Sequence, residues 1–70
     1  MERTSVRSSN LSSVGYDVRT ATLEVAFHSG GVYQYAGVPL TTYEELMAAS
    51  SHGSYLARHI KNRFSYRKVR

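Results

Sequence analysis

Hydrophobic and polar residues alternate one by one in two segments of the first half of the chain. Apolar side chains occupy every second position of residues 14–18, and the same alternation returns in residues 23–27 after a polar link. Because successive side chains of a β-strand point to opposite faces, both segments predict half-buried strands. Residues 1–12 are rich in serine, threonine and asparagine, and we expect an irregular arm or a short edge strand there.

The strongest turn signal is Ser29-Gly30-Gly31, because glycine readily adopts the positive φ values of tight hairpins. It predicts a third strand over residues 32–36. Gly37-Val38-Pro39 then ends the sheet, because proline has no N–H to donate to a neighbouring strand.

The register of this hairpin decides the environment of two tyrosines. A two-residue turn would pair His28 with Tyr33 and place Tyr33 and Tyr35 on the face opposite Phe27, where their rings could stack on bases. A three-residue loop would pair Phe27 with Tyr33 and place both rings in the core. The small size of the chain favours the core placement, and the exposed placement stays open.

Helical spacing follows the sheet. A capping box at Thr41 or Thr42 predicts the start of a first helix, residues 51–53 predict its end, and Ser54 is expected to cap a second short helix. The apolar stripes of the two helices consist of Tyr43, Leu46 and Met47, and then of Leu56 and Ile60. Their spacing predicts that both helices turn one apolar side towards the sheet.

The predicted architecture is α+β, a three-stranded antiparallel β-meander followed by two short helices packed on one face, in the order β-β-β-α-α. We expect a single domain over residues 1–70, with a basic aromatic tail at 63–70. One contiguous core should contain Leu23, Val25, Phe27, Leu46, Leu56 and Ile60. In a chain of 70 residues without cysteine, the free energy gained by burying apolar surface only about equals the entropic cost of ordering the chain. We therefore expect a homodimer or higher homo-oligomer, because burial between subunits would add stability.

Charge is distributed unevenly along the chain. All five carboxylates lie within residues 1–45, whereas residues 46–70 contain six lysines and arginines and no acid. The basic half therefore indicates an anionic partner, and its interleaved Phe64 and Tyr66 are typical of a surface that follows phosphates and stacks bases. A solvated helix face with a frayed tail would have the same composition.

The sequence gives no support for catalysis, metal binding or insertion into a membrane. His28, His52 and His59 form no i, i+4 pair, and no nucleophile-elbow pattern occurs, so we expect no catalytic residue, no metal site and no cofactor. The N-terminal segment is polar and no apolar run reaches about 18 residues, which predicts a cytoplasmic protein without a membrane partner.

Six different short motifs follow one another along the chain, at residues 8–11, 14–17, 23–27, 30–35, 37–39 and 59–63. With them the chain resembles the KTSC domain family, a module named from the C-terminus of some lysyl-tRNA synthetases that also occurs as free-standing bacterial and phage proteins. The family has a central Tyr-x-Tyr, matched here by Tyr33 and Tyr35, and the resemblance implies RNA binding. Ser65 departs from the pattern, which has proline between the last two aromatic residues.

The predicted function is a non-catalytic module that binds a nucleotide-type anion, RNA first. The candidate binding residues are Tyr33, Tyr35, Arg58, Lys61, Arg63, Tyr66, Arg67 and Lys68. The arginines and lysines would contact phosphates and the tyrosines would stack on bases. Two alternatives are an oligomer that sequesters a small phosphorylated nucleotide and an adaptor that docks on an acidic protein.

Overall fold

The sheet of this protein contains five antiparallel strands. The computed structural model describes residues 1–70, and the strands follow one another across the sheet in chain order. They are β1 (Thr4–Ser5), β2 (Leu11–Asp17), β3 (Thr22–Phe27), β4 (Val32–Tyr35) and β5 (Tyr66–Lys68). The α+β class is confirmed, but the prediction of three strands is wrong. The two further strands are the edge strands β1 and β5; β1 matches the short edge strand that was one of two alternatives for residues 1–12, whereas β5 lies in the segment predicted to be a tail.

Two helices connect β4 to β5, namely α1 (Leu40–Ala48) and α2 (His52–His59). The predicted caps are wrong in both. Helix α1 begins directly after Pro39, whose φ of −63° suits a helix start, so Thr41 and Thr42 lie inside the first turn. Ser51 caps α2 by accepting a hydrogen bond from the Ser54 N–H at 3.3 Å, which places Ser54 inside that helix.

One core joins the helices to a single face of the sheet. Nine buried residues form it: Leu11, Val14, Leu23, Val25, Tyr35, Val38, Leu46, Leu56 and Ile60. Five of the six predicted core residues belong to this cluster. The sixth, Phe27, is half-buried and packs against its edge. The position of Phe27 at the end of β3 explains this difference, because the helices do not cover the hairpin end completely.

The β3–β4 hairpin has neither of the two predicted registers. Tyr33 pairs with Val25 and Tyr35 pairs with Leu23. The turn begins one residue earlier than expected: the Phe27 N–H donates to the Gly31 carbonyl at 2.9 Å, and Gly30 takes the left-handed φ of 108°. This register differs by two residues from that of the predicted three-residue loop. Because side chains alternate with a period of two, Tyr33 and Tyr35 still lie on the face that the helices cover, as that alternative predicted.

A polar network crosses the opposite face of the sheet. Arg3, just before β1, forms an ion pair with the nearly buried Glu24 of β3, and the Gln34 amide donates to the same carboxylate at 2.8 Å. Gln34 in turn accepts a hydrogen bond from Arg67 on β5 at 3.5 Å. The N-terminal segment runs close over β2, since a Cβ at Gly15 would lie 2.5 Å from the Glu2 carbonyl oxygen.

Opposing influences act on the pKa of Glu24. Burial is the largest single influence and raises the pKa of this carboxyl group. The hydrogen bonds from Gln34 and Arg3, together with the positive charge of Arg3, outweigh burial and lower the pKa below its ordinary value of 4.5. The N-terminal segment, predicted to be an irregular arm or a short edge strand, is therefore held to the sheet through a paired, ionised carboxylate.

Candidate nucleic-acid interface

Aromatic side chains surround a cleft where the β3–β4 hairpin, β5 and the end of α2 meet. The cleft has a volume of about 270 Å³ and is lined by Phe27, Ser29, Tyr33, Tyr35, Lys61 and Tyr66. We call it the aromatic cleft. Its formation depends on strand pairing, because Tyr66 of β5 lies opposite Tyr35 of β4 and shares a face with both β4 tyrosines.

The rings of the aromatic cleft differ in their exposure to solvent. Tyr35 is buried, with 3% of its surface exposed, whereas Tyr66 is 58% exposed and Tyr33 lies between them. The Tyr66 ring centroid is 5.6 Å from that of Tyr35 and 5.8 Å from that of Tyr33, and Phe27 meets Tyr33 edge to face at 5.5 Å. These distances are typical of aromatic packing. Tyr35 thus forms the floor of the cleft, and Tyr66 forms a rim that solutes can reach.

The Tyr35 hydroxyl group is available to a ligand. It makes no hydrogen bond within the chain, and solvent still reaches it. Burial raises the pKa of Tyr35, and the neighbouring phenol groups of Tyr66 and Tyr33 raise it further. The group therefore stays protonated at neutral pH and can donate a hydrogen bond into the cleft.

Two lysines border the aromatic cleft from different elements. Lys61 follows α2 and lines the cleft directly, and the one ion pair of the structure, Arg3–Glu24, leaves its ammonium group without a carboxylate partner. Lys68 lies opposite Tyr33 across the β4–β5 pair, and its side chain passes within 3.7 Å of the position that a Cβ at Gly31 would take. Free positive charge therefore adjoins exposed aromatic surface.

The structure separates the remaining candidate residues from this cleft. Arg67 projects from the opposite face of the sheet, where it donates to Gln34. Arg63 lines another cleft together with Tyr55, between the two helices. Arg58 is exposed on α2 and lines no cavity. Of the eight residues predicted from the sequence, the structure brings together Tyr33, Tyr35, Lys61 and Tyr66, with Lys68 beside them.

Sequence reasoning did not assign Phe27 and Ser29 to the site. Phe27 is predicted in the core and Ser29 in a turn; Ser29 does lie in the β3–β4 turn and Phe27 packs at the edge of the core, and both also line the aromatic cleft. Knowledge of the hairpin register would have placed both residues at the site, because the pairing of Val25 with Tyr33 brings the end of β3 and the turn after it beside the β4 tyrosines. Loop length in the Ser29-Gly30-Gly31 region did not determine that register from sequence alone.

Two further observations concern other classes of function. No group of three or more histidine, aspartate or glutamate side chains is arranged so that it could hold a metal ion. Neither helix has the length and apolar composition that crossing a bilayer requires.

The family model for the KTSC domain matches residues 7–64 of the chain. The crystal structure of a KTSC domain protein from Yersinia pestis superimposes with a TM-score of 0.96 at 39% sequence identity, covering 99% of this chain and 97% of that one. A lysine–tRNA ligase of Trichormus variabilis is 46% identical over 54 residues, which are 77% of this chain and 10% of the ligase. An uncharacterized protein of Stutzerimonas stutzeri is 42% identical over 55 residues, 79% of this chain and 78% of that protein.

These relatives are of two kinds. The chain corresponds to about a tenth of the length of the ligases that it matches, and to most of the length of the small proteins. The family match covers far more than half of the chain, and the fold agrees almost throughout. The chain belongs to the KTSC domain family.

Proposed function

We propose that this protein is a non-catalytic module that binds single-stranded RNA. In this proposal an unpaired base stacks in the aromatic cleft on Tyr66 and Tyr33, and Lys61 and Lys68 contact the adjoining phosphates. The observation that carries the proposal is the meeting of three tyrosine rings with an unpaired ammonium group in one open cleft. Planar bases and phosphate charge are the two features that such a cleft is suited to bind.

Stacking would supply the sequence-independent part of the affinity. A base that stacks on an aromatic side chain contributes about 1 to 3 kcal/mol, and the exposed ring of Tyr66 needs no rearrangement to accept one. The cleft is too small for a helix or a strand of a partner, and its volume of about 270 Å³ suits one planar ring system. Unpaired bases of a single strand can enter such a cleft, whereas bases stacked within a duplex cannot.

Electrostatic attraction would supply the salt-dependent part of the affinity for RNA. Residues 46–70 contain six cations and no acid, and two of these cations, Lys61 and Lys68, border the cleft. Because Arg63 and Arg67 face other surfaces, we expect two to four phosphate contacts, which correspond to a slope of about −1.5 to −3 for log affinity against log salt.

The relatives support an RNA ligand by their context. Several curated relatives that contain this region are named lysine–tRNA ligases, and the matching region is about a tenth of each. The name of those proteins states that they act on a tRNA. An accessory region with exposed aromatic and basic residues would serve such a protein by holding RNA, and we infer the same role for this chain.

A binding role suits the chemistry of the cleft better than a catalytic one. The lining residues are aromatic rings, one serine and one lysine, without a histidine or a carboxylate that could act as a general base. The raised pKa of Tyr35 keeps its hydroxyl protonated, so that it donates a hydrogen bond rather than attacking as a nucleophile. The absence of enzymatic activity stays a prediction.

Anisotropy measurements with a labelled single-stranded uridine octamer test the proposal. Tyr66→Leu should weaken binding about five- to fiftyfold, because it removes the stacking ring, whereas Tyr66→Phe should retain most of the affinity. Lys61→Gln should weaken binding several-fold and flatten the salt slope by about 0.7. A hairpin duplex of equal charge should bind more weakly than the octamer.

Arg19→Gln is the matched control for Lys61→Gln. Arg19 lies in the β2–β3 turn, and the six residues of β3 separate it from the hairpin end by about 20 Å. Both substitutions remove one positive charge, so a purely nonspecific attraction would respond to them equally. Equal effects of the two substitutions, or an affinity that does not depend on the ring at position 66, would contradict the proposed site. Binding of free nucleotides without binding of the octamer would favour the small-nucleotide alternative.

A further inference from the structure

A second and larger cavity adjoins the aromatic cleft. It has a volume of about 420 Å³, and besides the residues shared with the aromatic cleft its lining contains polar and small residues, Ser9, Asn10, His28 and Gly53, and apolar ones, Leu11, Leu56 and Ala57. We call it the polar chamber. It lies between the start of β2, the β3–β4 turn and α2, and none of the eight candidate residues except Lys61 lines it.

The two cavities share one wall. Phe27, Ser29 and Lys61 line both of them, and Lys61 is the only lysine or arginine that lines either. A ligand that occupies both cavities would therefore pass along Lys61. The lining changes along this path from aromatic rings, past one lysine, to a mixture of polar and apolar side chains.

The polar chamber contains a carboxamide that can pair with a base. The backbone of Asn10 is engaged, since its N–H donates to Ser8 Oγ at 3.2 Å and its carbonyl accepts from the His28 N–H at 2.9 Å. Its side chain makes no hydrogen bond within the chain and borders Gly53, where a Cβ would lie 3.2 Å from Asn10 Nδ2. A carboxamide offers both a donor and an acceptor, which matches the edges of unpaired bases.

We propose that the site binds two consecutive nucleotides of single-stranded RNA, with one base in the aromatic cleft, the bridging phosphate at Lys61 and the second nucleoside in the polar chamber. This inference rests on the proposed function. Small-molecule sites usually have volumes of about 300 to 1,000 Å³. The aromatic cleft alone falls below that range and suits a single base, whereas the polar chamber has room for a nucleoside.

The first experiment compares uridine 5′-monophosphate with the dinucleotide UpU by isothermal titration calorimetry. We expect UpU to bind at least about tenfold more tightly than the mononucleotide, because only UpU fills both cavities. The comparison is sharp because the mononucleotide carries the greater negative charge, so simple attraction to the basic surface would favour it instead. Equal affinities, or tighter binding of the mononucleotide, would overturn the inference.

The second experiment blocks the polar chamber while leaving the aromatic cleft intact. Ala57 is exposed on α2 and lines only the polar chamber. Ala57→Phe should reduce UpU affinity to within about twofold of that of the mononucleotide, and leave mononucleotide binding unchanged. Ser54→Phe places the same ring one turn earlier on the same helix, outside both cavities and without a change of charge, and should preserve the preference for UpU.

Asn10→Ala is a second variant that does not depend on the tolerance of α2 for a larger side chain. It should weaken UpU several-fold without affecting the mononucleotide, because the backbone hydrogen bonds of Asn10 remain. Parallel loss of both ligands in Ala57→Phe and Asn10→Ala would show that the polar chamber holds part of the same nucleotide.

The uridine octamer separates failure of this inference from failure of the proposed function. Octamer binding that requires the Tyr66 ring but is insensitive to both Ala57→Phe and Asn10→Ala would reject only the two-nucleotide site. No octamer binding, or binding that ignores Tyr66, would reject the proposed function and this inference with it.

Discussion

The ion pair between Arg3 and Glu24 should contribute strongly to stability although it joins an N-terminal segment to the sheet. The Glu24 side chain is only 10% exposed, and Arg3 supplies both a hydrogen bond and the positive charge that offsets burial of the carboxylate. In Arg3→Met, Glu24 keeps the hydrogen bond from Gln34 but loses its counter-ion. Only the Gln34 hydrogen bond and the charge of the N-terminus then offset the cost of burying the carboxylate.

The expected loss is about 2 kcal/mol at pH 7, since a hydrogen bond to a charged group contributes about 1.5 to 3 kcal/mol. For a domain of this size, that loss lowers Tm by about 8 to 16 °C. Arg7→Met is the matched control, because Arg7 is exposed and forms no ion pair. Thermal unfolding followed by circular dichroism should show little change for this control.

The pH dependence of the loss has a definite sign. Arg3 is one of the groups that lower the folded pKa of Glu24 below 4.5, so the stabilisation is present above that value and disappears as the pH falls through the lower folded pKa. In Arg3→Met only Gln34 and the charge of the N-terminus still oppose the effect of burial on this pKa, and protonation of Glu24 relieves the cost of burying its charge. The difference in Tm between wild type and Arg3→Met should therefore be largest near pH 7 and shrink below about pH 5. A difference that stays constant from about pH 7 to pH 3 would refute this electrostatic explanation and indicate lost packing of the arm instead.

Three further predictions concern the core, the cleft and self-association. Ile60→Ala should lower the free energy of unfolding in urea by about 2 to 5 kcal/mol, and Phe27→Ala should cost less because Phe27 is half-buried; the reverse order would contradict the core described above. Tyr33→Phe should leave both Tm and octamer affinity nearly unchanged, because it retains the ring and the Tyr33 hydroxyl makes no hydrogen bond within the chain; a large loss of affinity would show that the hydroxyl contacts RNA. Association into a homodimer or higher oligomer stays a prediction, and light scattering that gives the monomer mass of 7.9 kDa at micromolar concentration would contradict it.

The central elements of the fold could be predicted from local sequence. Alternation in residues 14–18 and 23–27 indicated β2 and β3, and the apolar stripe at Leu56 and Ile60 indicated the buried side of α2. Such patterns are readable because the period of an amphipathic element is set by its own backbone geometry. The face of the sheet that packs on the helices followed from the same spacing.

Half of the candidate site was also visible in the sequence. Tyr33 and Tyr35 share a face in any strand, and Lys61 follows directly on the apolar stripe of α2. Their meeting with Tyr66 was not predictable, because it depends on β5, a segment of three exposed residues. Nothing in its own pattern distinguishes it from a solvated tail.

The tertiary structure decided the edges of the sheet and the direction of the charges. Strands β1 and β5 exist because the outer edges of β2 and β4 offer unpaired backbone groups, and a short polar segment gains strand structure only when such an edge is available. Pairing of β5 with β4 then turns Tyr66 and Lys68 towards the aromatic cleft and Arg67 towards Gln34 on the opposite face. The sequence determined which residues are aromatic and which are basic. Strand pairing and hairpin register determined which of these residues meet, because they bring together residues that are far apart in the chain.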